Sequence, residues 1–270
     1  MYISEKYNMN IQSNNPDILK IRELDLDLLE PSTKNYMNPE QGGSKIIIVA
    51  KPKAGKSTLL ASILYAKRNI FPCAMVMSGT EDVNGFYKKI FPNSFIFNEY
   101  DEPQIEKFIQ RQKLARAHLE NPWAVLLLDD VVDDPAKFRR PIQQKLYKQG
   151  RHWKLFMATI LQFCLDLRPS IRTSIDGVFI MREPSIVNRK KLYDNFASVI
   201  PTFDLFCQMM DQITDDHGAI YIHNLTSTND WKDCVFWYRA TPPPEDFKFG
   251  CPEYWDFHYE RYNPEYQDKF

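Results

Sequence analysis

From Lys45 onward the chain alternates short continuous apolar runs with longer amphipathic stretches, whereas residues 1–44 carry few apolar positions in no sustained period. Short continuous apolar runs mark strands buried on both faces, and apolar residues spaced three and four apart mark the helices that cover them. Strands are expected over 46–49, 74–77, 95–97, 124–128, 155–160, 178–181, 219–222 and 235–238. Helices are expected over 57–68, 103–119 behind the capping residue Asp101, 135–148 and 203–213. The pattern is that of an α/β chain with a mostly parallel sheet.

The flanks read differently. Pro16, Pro31, Pro39 and Gly42-Gly43 punctuate an irregular arm that ends in a turn, with one short helix expected over 17–29. Pro242-Pro243-Pro244 closes the periodic region, because three fixed φ angles and three missing N–H donors continue neither a sheet nor a helix. The expected organisation is therefore an arm over 1–44, one core domain over 45–240 and a tail over 241–270.

Composition narrows the function classes. The 270 residues suffice for a sizeable core, and 34 basic against 35 acidic residues leave a net charge of -1, so nucleic-acid affinity must come from a local patch. Five cysteines without a C-x-x-C pair suit reduced thiols rather than a metal site. The beginning MYISEKYNMN lacks an apolar signal region and the run 123–128 is far shorter than a membrane span, so a soluble protein is expected.

The first strand runs straight into Ala50, Lys51, Pro52, Lys53, Ala54, Gly55, Lys56, Ser57 and Thr58, and a helical pattern starts at once with Leu59-Leu60-Ala61. A strand–loop–helix of this kind cradles phosphates. Backbone N–H groups line a nest at a helix N-terminus, Lys56 reaches the β- and γ-phosphates, and the Ser57 hydroxyl serves Mg²⁺. The usual motif has glycine where Ala50 stands. Alanine costs little there if φ is negative and roughly 1 kcal/mol or more if φ is positive. The competing reading, a lysine-rich surface turn, does not account for the strand before and the helix after. Lys51 and Lys53, inside the loop, are expected to face solvent.

The run 124–128 delivers Asp129 and Asp130 to the end of a buried strand. Asp129 is expected to orient Mg²⁺ through its water shell and Asp130 to act as general base toward water. A solvated loop is the alternative, since Asp133 and Asp134 follow. A second acid favours ATP hydrolysis over transfer to an acceptor hydroxyl. Gln162, at the tip of the next strand, suits a sensor that contacts the γ-phosphate and the attacking water. Gly150-Arg151-His152 precedes that strand, so Arg151 stands at the edge opposite Gln162, placed to reach a neighbouring subunit's nucleotide as an arginine finger. Arg168 and Arg172 are rivals for that role.

Together these residues resemble the FtsK-HerA group of P-loop ATPases, and within it the genome-packaging ATPases of large nucleocytoplasmic DNA viruses and their poxvirus-type relatives. The likeness runs from about Lys45 to Ala240. It is carried by Ala50 to Thr58 as Walker A, Val125 to Asp130 as Walker B, the arginine-then-glutamine arrangement of Arg151 and Gln162, and the final strand Cys234-Val-Phe-Trp-Tyr-Arg-Ala240. Packaging ATPases of membrane-containing phages and virophages are similar nearly as well. The resemblance implies a P-loop NTPase (ASCE, RecA-like) three-layer sandwich with an extra strand between the two Walker strands. It also implies ATP and Mg²⁺ as cofactors, with Ser57 and Asp129 on the metal. A homo-oligomeric ring, often a hexamer, would pull double-stranded DNA into a preformed capsid, with a capsid or portal component as partner. The setting it implies is the virion and the viral factory of the host cytoplasm.

Residues 137–154 hold seven Lys or Arg and no acid, the best local sign of a polyanion partner. A translocase grips any sequence, so its contacts should go to phosphates. Helical spacing spreads Arg140 and Lys148 over more than one face, which leaves a merely solvated surface as the alternative. Arg182, Arg189, Lys190 and Lys191 form a weaker second group. Residues 245–270 contain nine aromatics, seven acids and no Leu, Ile, Val, Met or Ala. Two readings stand for this tail: its rings fold back on their own domain, or Trp255, Phe257 and Tyr259 dock on another subunit or a capsid component. A nucleotide-dependent switch without motor activity is the competing function, and a nucleoside kinase lacks any clear mark of an acceptor pocket or lid.

Overall fold

The apolar runs pair edge to edge with the phosphate-loop strand near the middle. The structure, a computed structural model, describes residues 21–132, 134–164, 167–263 and 265. All eight expected strands are present: β2 (Lys45–Val49), β3 (Cys73–Ser78), β4 (Ile96–Phe97), β5 (Ala124–Asp129), β6 (Leu155–Leu161), β7 (Gly177–Ile180), β8 (Gly218–His223) and β9 (Val235–Arg239). With β1 (Arg22–Glu23) they form one nine-stranded sheet among the described residues, ordered β1-β9-β8-β7-β2-β6-β5-β3-β4. Every pairing is parallel except those of β8 with β7 and β9. β6 lies between β2 and β5, which is the extra strand the resemblance implied.

Strand alternation sorts the side chains into two cores. Ile47, Val49, Leu126 and Leu128 face one layer, while Ile46, Ile48, Val125 and Leu127 face the other. The second layer contains α1 (Lys56–Ala66), with Leu59, Leu60, Ile63 and Leu64 fully buried. The first contains α3 (Glu102–His118), α5 (Pro141–Gln149) and α8 (Phe203–Ile213), through residues such as Ile105, Leu146 and Phe206. The shorter helices are α2 (Glu81–Asn84), α4 (Pro135–Phe138), α6 (Pro169–Arg172), α7 (Ile186–Leu192) and α9 (Pro252–Arg261).

Several expectations are corrected. The helix expected over 135–148 is two, α4 and α5, because Pro141 lacks an N–H and pushes Arg140 to φ -58, ψ 140, outside the helical region. The helix expected over 17–29 is absent where it is described: residues 22–23 pair with β9 and Leu26–Leu28 form one 3₁₀ turn capped by Asp25, while 17–20 lie outside the described residues. Sheet pairing has overridden local preference there. The expected strand 95–97 loses Phe95 to a 3₁₀ turn.

Both flanks pack on the sheet. Lys67 Nζ donates to the carbonyls of Leu29 and Pro31, Lys154 Nζ to those of Asn38, Pro39 and Gln41, and Trp123 Nε1 to Tyr36. The tail wraps around the β4 side of the sheet. Phe247 and Phe249 are buried with one core and Tyr254 with the other. Gly250 makes that crossing at φ 95, where a Cβ would stand 2.8 Å from the Pro72 carbonyl oxygen. Tyr254 Oη then donates to Ala74 O at 2.7 Å. The first of the two tail readings thus holds for Phe247, Phe249 and Tyr254, whereas Phe257 and Tyr259 remain 44% and 69% exposed.

At the N-terminal edge of β2 and β7, Lys45 and Asp176 form a buried pair at 3.6 Å, and Asp176 Oδ2 also accepts the Lys45 N–H. No disulfide joins any of the five cysteines to another.

Candidate nucleotide site

Because β2, β6 and β5 are adjacent and parallel, their C-terminal ends open on one edge, and each ends in residues singled out by the sequence. The loop after β2 begins at Ala50, whose N–H donates to Leu161 O. Positive φ in this loop falls on Lys53 (66) and Gly55 (96), not on Ala50, so the alanine in place of glycine carries no backbone strain. Gly55 is the N-cap of α1 and brings no side-chain cap. The first-turn amides of α1 therefore have no intrahelical partner, and the helix dipole favours an anion before them. A Cβ on Gly55 would lie 2.3 Å from His217 Nδ1.

Lys56 Nζ lies 3.0 Å from Asp129 Oδ1 and also contacts Asp130 Oδ2. Gln162 Nε2 donates to the same Asp130 oxygen at 2.8 Å. Lys56, Asp129, Asp130 and Gln162 are thus brought together from three loops. Burial works against the charge on Lys56, yet the two carboxylates outweigh it and hold the ammonium above its usual range. Burial pushes the Asp129 carboxyl up, with Lys56 pulling against it. Asp130 adopts φ 55, a left-handed conformation that aspartate tolerates better than most residues and that turns the chain back after β5.

Ser57 and Thr58 stand in the first turn of α1. No group of three or more His, Cys, Asp or Glu able to hold a metal occurs among the described residues. The donor chemistry suits Mg²⁺ nonetheless, since that ion is held by one or two protein oxygens together with substrate phosphates, and Ser57 in the first turn of α1 and Asp129 at the end of β5 carry oxygens of that kind.

Other expected residues lie elsewhere. Arg151 is at the N-terminal edge of β6, far from Gln162, with its guanidinium 2.7 Å from Glu30 Oε2. Arg172 donates to Asn195 Oδ1. Lys53 is exposed, as expected, but Lys51 is not free in solvent: its Nζ pairs with the buried Glu183 at 2.8 Å. Of the basic stretch, Lys154 is buried against the arm, whereas Arg139, Arg140, Lys145 and Lys148 are exposed on α4–α5. In the second group Arg182, Arg189 and Lys190 are each paired with an aspartate.

The sequence reading missed Glu81, Tyr87, Glu183 and His217. Tyr87 Oη donates to Asp129 Oδ2 at 2.9 Å, and buried Glu81 accepts the N–H groups of Tyr87 and Lys88. The polar run Ser78-Gly79-Thr80-Glu81, directly after a buried strand, was the available signal.

No family model matches the chain. It is 49% identical over 247 residues to the uncharacterized protein 088R of Invertebrate iridescent virus 3, covering 90% of this chain and 95% of that protein. It is 48% identical over 249 residues to the uncharacterized protein 075L of Invertebrate iridescent virus 6, covering 91% and 96%. Among solved structures, the genome packaging NTPase B204 of Sulfolobus turreted icosahedral virus 2 in complex with ATP-gammaS matches 76% of this chain and 98% of its own, with TM-score 0.51 and 14% identity. The pCW3 conjugation coupling protein TcpA with ATPgS matches 83% and 70%, with TM-score 0.53 and 12% identity. These likenesses establish the fold as that of the P-loop NTPases.

Proposed function

This chain belongs to the family of viral proteins that includes 088R and 075L of the invertebrate iridescent viruses, and we propose that it is an ATP-hydrolysing translocase of double-stranded DNA that packages a viral genome into a capsid. The observation that carries this reading is the meeting of Lys56 with both Asp129 and Asp130 while Gln162 holds Asp130. The likeness in fold to B204, a genome packaging NTPase, supports it.

In this reading the triphosphate is cradled by backbone N–H groups of the loop and of the first turn of α1, Gly55 to Thr58 foremost, since Pro52 has no N–H and those of Ala50 and Ala54 already donate to Leu161 and Lys51. Its negative charge competes for Lys56, which turns from the two carboxylates to the β- and γ-phosphates. Ser57 directly and Asp129 through the water shell would hold Mg²⁺, which would neutralise charge developing on the γ-phosphoryl group. Asp130, released by Lys56 but still held by Gln162, accepts the proton of the attacking water. Arg151 serves a neighbour's site across a ring interface, exchanging Glu30 for the phosphoryl oxygens. The ring acts in the virion and the infected-cell cytoplasm, docked on a capsid or portal component. No helix among the described residues is long and apolar enough to cross a membrane.

DNA contact falls to the exposed quartet Arg139, Arg140, Lys145 and Lys148; Arg140 and Lys145 lie 3.6 and 3.9 Å from Glu102 and Glu106 of α3, exposed pairs that open to engage phosphate, whereas Lys154 and Arg151 are held more closely within the chain. Turnover is expected to rise when double-stranded DNA is added. Changing the quartet to alanine should abolish that rise, and the slope of log affinity against log salt should flatten by about 0.9 for each phosphate that is no longer neutralised. Wild-type turnover indifferent to DNA, beside tight nucleotide binding, would reject the motor in favour of a nucleotide switch.

A further inference from the structure

Asp129 has two carboxylate oxygens, and the structure gives them different partners. Oδ1 faces Lys56 and Oδ2 accepts the Tyr87 hydroxyl. Tyr87 lies in the 3₁₀ turn Tyr87–Lys89, in the connection from β3 to β4, and is 2% exposed. Its Oη lies 2.9 Å from Asp129 Oδ2, and against a carboxylate oxygen the hydroxyl is the donor.

The turn that carries Tyr87 is itself held on two sides. The fully buried Glu81 uses one oxygen for the Tyr87 N–H at 3.0 Å and the other for the Lys88 N–H at 2.9 Å. Behind the turn, the Phe91 ring packs on Phe249 at 5.0 Å between centroids, and the Phe249 N–H donates to Ile90 O at 2.9 Å. The tail thus closes over the far side of this turn. A tyrosine used only as core filler gains nothing from a hydroxyl aimed at an ionisable group, because a phenylalanine would fill the same volume without a polar atom to satisfy.

We propose that Tyr87 is a positioning residue for Asp129: its hydroxyl occupies Oδ2, fixes the plane of the carboxylate, and so keeps Oδ1 presented toward the phosphate cradle where Mg²⁺ is to be held. The proposal rests on the reading of Asp129 as the magnesium-side carboxylate. Hydrogen-bond partners of ligating carboxylates typically contribute about 10–100-fold in metal affinity. Since the Tyr87 hydroxyl is spent on Asp129 Oδ2, the oxygen turned away from Lys56, it should matter for the metal and not for the nucleotide alone.

The test is a titration of a fluorescent ATP analogue, first in EDTA and then against rising Mg²⁺, with the wild type, Tyr87→Phe and Glu81→Gln. Tyr87→Phe deletes one oxygen and keeps the ring. Its metal-free affinity for the analogue is expected to match the wild type, while the Mg²⁺ concentration for half-maximal tightening rises at least about tenfold. Glu81→Gln, which loosens the turn but keeps the hydroxyl, should raise that midpoint in the same direction and serves as the deciding variant if Tyr87→Phe does not fold. An unchanged Mg²⁺ midpoint overturns the proposal, as does an equal loss of affinity with and without metal. If the wild type binds no nucleotide under either condition, the functional reading fails with it; if it shows Mg²⁺-dependent binding and the variants are indifferent, only the role of Tyr87 is lost.

Discussion

Asp130→Asn is expected to lower ATP turnover by about 10²–10⁴-fold, the range for loss of a general base, while leaving nucleotide affinity near that of the wild type. The substitution separates chemistry from folding unusually well. Asp130 sits at φ 55, and asparagine is among the residues that tolerate this left-handed conformation. Its amide oxygen still accepts from Lys56 or Gln162, so the convergence of the three loops survives. Only the ability to take a proton disappears. Asp130→Ala would add backbone strain and two abandoned donors, confusing the result. Single-turnover hydrolysis measured beside equilibrium binding of an ATP analogue checks the expectation. Retained turnover in Asp130→Asn would remove Asp130 from the chemistry.

The second large effect concerns stability and lies at the other edge of the sheet. Asp176→Ala is expected to cost about 3–5 kcal/mol, read as a lower urea midpoint, because it strands a buried charge. The Lys45 and Asp176 side chains are each 6% exposed. Burial drives the Lys45 ammonium down and the Asp176 carboxyl up, each partly countered by the other. Without Asp176, Lys45 keeps only the Tyr147 carbonyl for its ammonium, and its own N–H loses a partner. The control is the joint change Lys45→Met with Asp176→Leu. It removes both charges and is expected to recover most of the loss, since apolar replacements of a whole buried pair are often neutral or stabilising. A double variant as unstable as Asp176→Ala would locate the effect in the backbone contacts instead.

How far the sequence was legible follows from where each signal resides. The central strands were readable because burial on both faces demands continuous apolar runs, and their ends were readable because charge cannot intrude before the strand stops; that is how Asp129, Asp130 and Gln162 stood out. β1 was not, since Arg22 and Glu23 extend only because β9 offers an edge. The break at Pro141 was visible in principle, as proline both lacks a donor and constrains its predecessor. Tyr87 was out of reach: its link to Asp129 spans 42 positions and depends on how the β3–β4 connection folds over β5. The tail's aromatic count showed that it must be covered, but not that Gly250 would carry it around the sheet.

The placement of Phe249 behind the Tyr87 turn has a consequence for synthesis. Residues 247–254 leave the ribosome long after the loop at 50–58 has emerged. A nascent chain lacking them has the Phe91 ring without its cover and the Tyr87 turn without its outer support. Until residues 247–254 emerge, the turn that donates to Asp129 therefore lacks its outer support, and their arrival is the event that braces it.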